Sequence, residues 1–105
     1  MRRLCEVLDA SSESEAVLAI TGEFDAACAE LFADAARAML AKPDLHGAMA
    51  VDMSGVGFMD SAGLAAVLAA YNAAQRQGVR LYVREPTAHA QRVLDTAGVA
   101  DLLGR

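Results

Sequence analysis

The sequence contains no tryptophan, two prolines, two cysteines and two histidines among its 105 residues. Lys42 is its one lysine, and aromatic residues make up 5% of the chain, so large rings cannot dominate the core. Clustered basic residues are missing too. Nine Lys and Arg stand against 14 Asp and Glu, the formal charge is −5, and the arginines are scattered. That balance excludes the counterion-displacing footprint of a nucleic-acid binder and argues against direct contact with an anionic membrane surface. The longest uncharged apolar stretch, Ala62 to Tyr71, falls far short of the roughly 18 residues that suggest a membrane span. Arg2 and Arg3 would suit a secretory leader, but Glu6 and Asp9 interrupt the apolar region a leader needs. Cys5 and Cys28 lie far apart with no C-x-x-C spacing, and are expected to be two reduced core thiols. The expected location is therefore the cytoplasm.

What the chain does have is apolar mass, 55% of it hydrophobic, with alanine at 24 positions. A chain of this length is one domain, residues 1–105, and buries about 65% of its unfolded surface without needing a disulfide or a metal. Its core must come from Leu, Val, Ile and Met packed against closely approaching Ala-rich helices. The apolar content excludes disorder.

Along the chain, Leu4, Glu6 and Leu8 alternate with Cys5 and Val7, the period of a strand. A polar turn through Ser11, Ser12, Glu13 and Ser14 leads to a second apolar run, Ala16 to Thr21, ending at Gly22, which predicts an antiparallel hairpin. The rhythm then changes. Asp25 suits the N-cap of a helix carrying Cys28, Leu31, Phe32, Ala35 and Met39, which Pro43 stops. Ala48 to Met53 reads as a buried strand. Leu64, Val67, Leu68 and Tyr71 form the next helical stripe, closed by a left-handed Gly78. Val79 to Val83 is the following strand. Thr87 caps a third helix with Val93, Leu94 and Ala97 inward and Gly98 at its end, and Val99 to Leu103 adds a last turn. The order β-β-α-β-α-β-α predicts one α/β domain, a small mixed sheet in which an N-terminal hairpin joins parallel βα units packed with helices.

The informative segment is Val51-Asp52-Met53-Ser54-Gly55-Val56-Gly57-Phe58-Met59-Asp60-Ser61-Ala62-Gly63-Leu64. A buried strand runs into a glycine-containing loop that delivers Asp60 and Ser61 to the start of a helix, at the strand C-termini where parallel α/β folds bind ligands and partners. A nucleophile elbow requires glycine two before the serine, where Met59 stands, and neither His46 nor His89 has a context favouring a triad. In a dinucleotide fingerprint, Asp60 would occupy the third glycine position and repel pyrophosphate. A phospho-aspartate receiver built on Asp52 lacks its acidic cluster and a placed lysine. The carboxylates lack metal-ligand spacing. No enzyme, metal site or cofactor is expected. Two roles then fit Ser61: a helix N-cap, or a phosphate acceptor whose added charge of about −1.5 to −2 would be stabilised by free first-turn amides and would repel a partner.

The run from Val51 to Leu64, with Asp60-Ser61-x-Gly63-Leu64 at its end, resembles the signature of STAS domains, specifically bacterial anti-sigma factor antagonists. Gly22-Glu23-Phe24-Asp25, Gln77-Gly78-Val79-Arg80-Leu81 and Val93-Leu94-Asp95-Thr96-Ala97-Gly98-Val99 resemble further family segments in the right order. The resemblance implies a small mixed sheet with helices packed around it and a phosphorylated serine at Ser61. It also implies an anti-sigma factor partner that is itself an ATP-dependent serine kinase, and a serine phosphatase that resets the cycle. ATP then belongs to the partner. Asp25, Met59, Asp60, Ala62 and Gly63 are the expected partner or kinase contacts, and Ser54 a second candidate for modification. Gly57 departs from the family's frequent β-branched residue. Related domains serve instead as cytoplasmic subunits of lipid-transport ABC systems or sit on anion transporters, which is the alternative function.

Overall fold

The computed structural model describes residues 4–43, 45 and 47–104. Two strands, β1 (Cys5–Asp9) and β2 (Ala16–Phe24), lead into helix α1 (Ala26–Leu40) and strand β3 (Ala48–Met59). Helix α2 (Ser61–Arg76), strand β4 (Arg80–Arg84) and helices α3 (Ala88–Thr96) and α4 (Ala100–Leu103) complete the chain. The sheet order is β1-β2-β3-β4, with β1 antiparallel to β2 and the other pairings parallel. The hairpin and the crossovers are those the sequence rhythm requires.

Strand alternation sorts the side chains into two faces. Cys5, Leu18, Ile20, Met49, Val51, Met53, Leu81 and Val83 join buried residues of all four helices in one core, which includes Phe32, Val67, Leu94 and Leu103. The opposite face carries a small separate cluster of Val17, Ala50 and Tyr82. With so few rings, the core relies on one aromatic pair, Phe24 and Phe32, edge to face with centroids 5.6 Å apart. The Ala-rich faces of α1 and α2 pack against each other; Ala66 and Ala73 line a groove shared with Ala33, Ala36 and Leu40 of α1. In α3 the buried positions are Ala90 and Leu94, whereas Ala97, expected inward, is exposed.

Two expectations are corrected. Cys5 and Cys28 are not separate reduced thiols; they are joined as a disulfide, with Cα atoms 5.9 Å apart. Chain separation hid this, because the hairpin returns the start of β1 to the first turn of α1. The segment after Met53 is also not a loop. β3 continues to Met59, paired with β2 as far as Phe24, through register shifts between Ala19 and Thr21 and between Gly22 and Glu23. Glycine makes this possible: a Cβ on Gly55 would lie 2.6 Å from the Thr21 methyl, and Gly22 has φ +94° with Leu4 carbonyl against it.

Candidate functional site

Phe24 and Met59 are register partners at the ends of β2 and β3, so Asp25 and Asp60 leave adjacent parallel strands side by side. Each caps the helix that follows. Asp25 Oδ1 accepts the Cys28 amide at 3.1 Å, and Asp60 Oδ1 accepts the Ala62 and Gly63 amides at 2.9 and 3.1 Å. The Asp60 amide donates to the Phe24 carbonyl at 3.3 Å, tying the two strand ends together. Gly63 completes the corner. It is buried, and a Cβ there would press on the Phe24 carbonyl and lie 2.9 Å from the Phe24 ring. The missing side chain of Gly63 therefore makes room for a neighbour within the chain.

Ser61 is the first residue of α2 and is exposed, and capping is done by Asp60. Among the described residues the Ser61 hydroxyl has no hydrogen-bond partner. The Ala62 and Gly63 amides, expected to be free for a phosphate, are already taken by the Asp60 carboxylate.

Helix α3 closes the other side of the site. The Thr87 hydroxyl donates to the Val56 carbonyl at 2.7 Å and accepts the Ala90 amide at 3.2 Å, so one side chain both caps α3 and fastens it to β3. Two residues on, His89 Nε2 donates to the Met59 carbonyl at 3.3 Å, and its ring stacks on Phe58 with centroids 5.4 Å apart. A cavity of about 450 Å³ lies between the start of α2 and α3. Met59, Leu64 and Val93 give it an apolar lining, while Asp60, Ser61 and Arg92 bring polar groups to it. Ser61 is at the surface; of the expected contact residues, Asp25, Asp60 and Ala62 are half-buried, and Met59 and Gly63 are buried. Met59 is 2% exposed, whereas its neighbour Phe58 is 44% exposed and presents the apolar surface. Sequence reading missed His89 and Arg92 as part of this site. Their spacing along α3 with Val93 and Thr96 was a readable helical face, but nothing local says that this face meets the Ser61 end of the sheet.

The other candidates lie elsewhere. Asp52 sits on the sheet face opposite the helices, 3.4 Å from Arg84, whose other nitrogen reaches Glu15 at 3.0 Å. Burial pushes the Asp52 carboxyl up, but hydrogen bonds from Ser54 and Arg84 outweigh it and hold the group below the usual carboxylate range. Glu15, then Asp52, raise the pKa of the Arg84 guanidinium against the opposing effect of desolvation. Lys42 pairs with Asp9 at 3.1 Å and leaves Asp52 without a lysine. Ser54 is exposed, its amide donating to Asp52 at 2.8 Å. His46 lies outside the described residues. Among the described residues no cluster of three or more His, Cys, Asp or Glu side chains is placed to hold a metal, and no helix is long and apolar enough to cross a membrane.

A mixed four-stranded sheet, helices over one face and an exposed Ser61 beside a half-buried Asp60 at a strand end define a class of small α/β domain. A family model described as "Mlab, STAS domain" matches residues 7–104, and the chain belongs to this STAS family. Among solved structures, an anti-sigma factor antagonist from Mycobacterium paratuberculosis is similar at 23% identity and TM-score 0.78, covering 94% of this chain and 82% of that one. The phosphorylated form of the Bacillus cell fate determinant SpoIIAA aligns at 17% identity and TM-score 0.71, covering 96% and 88% of the two chains. A sulfate transporter family protein from Wolinella succinogenes aligns at 17% identity and TM-score 0.71, covering 84% and 70%. These likenesses establish the fold. No curated protein matches the sequence at significance.

Proposed function

We propose that this chain is an anti-sigma factor antagonist whose binding is gated by phosphorylation of Ser61. The unmodified form binds an anti-sigma factor that is also a serine kinase, and the sigma factor is released to act in transcription. The kinase then moves the γ-phosphoryl group of ATP to the Ser61 oxygen; ADP leaves, and the hydroxyl proton passes to a base on the kinase. A serine phosphatase restores the hydroxyl. The carrying observation is that the Ser61 hydroxyl is exposed and unengaged, while Asp60 beside it has taken over the capping.

The physical effect is large for so small a group. A charge of about −1.5 to −2 arrives next to Asp60, at the edge of a cavity lined by Met59, Leu64 and Val93. Burying it in an interface costs enough to lower affinity by an order of magnitude or more, since about 1.4 kcal/mol is tenfold. Asp25 and Asp60 hold the corner that presents the serine, Ala62 and Phe58 offer contact surface, and Met59 and Gly63 shape the support beneath. Incubation with the cognate kinase and ATP, followed by mass mapping, is expected to place one phosphate on Ser61 and none on Ser61→Ala. Modification confined to Ser54 or any other residue refutes the assignment.

The description of the matching family model favours a second reading, a STAS subunit of a lipid-transport ABC system in which Ser61 is unmodified. Co-purification with a transporter ATPase, together with binding indifferent to Ser61→Asp, is the outcome that selects it.

A further inference from the structure

A phosphate on Ser61 needs a countercharge, and the first-turn amides of α2 that would ordinarily supply it are occupied by Asp60 Oδ1. Asp60 itself adds a like charge. Across the cavity α3 presents Arg92, among the described residues the one arginine or lysine lining it. Arg92 is exposed, and among the described residues it has no hydrogen-bond or ion-pair partner. The wall that carries it is fixed: Thr87 is bonded to the Val56 carbonyl and His89 to the Met59 carbonyl, both on the strand that ends at Asp60. A guanidinium suits this task because its fork of N–H donors matches phosphate oxygens two at a time.

We propose that Arg92 is the phosphate-holding residue of this site: the phosphorylated Ser61 side chain folds across the cavity and is bound by the Arg92 guanidinium. The modification then acts in two ways. It adds charge, and it covers the apolar lining formed by Met59, Leu64 and Val93 that the unmodified protein offers to a partner. This inference rests on Ser61 as the phosphate acceptor, but it is tested without any kinase.

The full-length chain is produced with phosphoserine placed at position 61 during translation, and the second ionisation of the phosphate is followed by phosphorus NMR at low ionic strength. A guanidinium bound to the phosphate favours the dianion. Arg92→Gln is therefore expected to raise the phosphate pKa by about half a unit, roughly a threefold change in proton affinity. Arg92→Lys keeps the charge and is expected to restore most of the difference. Arg76→Gln is the charge-matched control, because Arg76 lies in the last turn of α2, the far end from Ser61. Circular dichroism checks that each variant folds. Equal phosphate pKa values in Arg92→Gln and Arg76→Gln overturn the proposal. Failure of a kinase to modify Ser61 bears on the proposed function alone and leaves this titration unaffected.

Discussion

Two glycines of the same motif, six residues apart, respond oppositely to alanine if the corner is built as described. At Gly57 a Cβ meets nothing within 4 Å and the backbone is not left-handed, so Gly57→Ala should stabilise the chain by about 0.4–1 kcal/mol through the unfolded state. Gly63 lies inside α2, where alanine by itself gains about 1 kcal/mol of helix propensity. Its Cβ, however, would press on the Phe24 carbonyl and stand 2.9 Å from the Phe24 ring. That carbonyl cannot simply retreat, because it accepts the Asp60 amide and Phe24 is fully buried. Relieving the overlap means parting α2 from β2, with an overpacking cost of typically 1–3 kcal/mol, and a backbone obstacle belongs at the upper end. The net expectation is a loss of about 1–2 kcal/mol. Urea unfolding at constant m-value reads both variants as shifts in midpoint of opposite sign. A Gly63→Ala protein more stable than wild type by the full propensity gain refutes the packing argument.

Reduction of the Cys5–Cys28 bond releases a loop spanning a sequence separation of 23, and is expected to cost about 3 kcal/mol in equilibrium unfolding; no shift on adding reductant would show that the bond does not form. Hydrogen bonds from the Ser11 side chain and amide, with Lys42, lower the Asp9 pKa from 3.8 to about 2. A depressed carboxylate stabilises the fold above its unfolded pKa, so this contribution is complete above about 4 and lost as pH falls through about 2. Asp9→Asn should flatten the acid limb of the stability curve over that window, and an unchanged limb contradicts the assignment. Thr87→Ala removes a helix cap together with a bond to the Val56 carbonyl, and should destabilise by about 1–2 kcal/mol in urea unfolding; a neutral result would mean that α3 is not fastened there.

Much of this fold was legible because its signals are local. Alternation in β1, the caps at Asp25 and Thr87, and the left-handed glycines at Gly78 and Gly98 each depend on a few adjacent residues, and each is where the pattern puts it. The failures share a cause as well. The Cys5–Cys28 bond, the extension of β3 to Met59 and the placing of Arg92 and Ser61 on one cavity depend on which elements meet in space. Gly55 and Gly57 look like loop residues, but β3 runs through both: the shifted register sets Gly55 against the Thr21 methyl, where a side chain would clash, while Gly57 has open space around it. The candidate serine was visible from its motif. Its freedom from capping was not, since Asp60 and Ser61 are both good caps and only geometry separates them.

Under the proposed function, charge on one exposed hydroxyl governs docking. Calorimetric titration of the anti-sigma kinase with the unmodified chain and with the chain carrying phosphoserine at 61 tests it most directly. At least a tenfold loss of affinity is expected for the modified chain; equal affinities contradict the account.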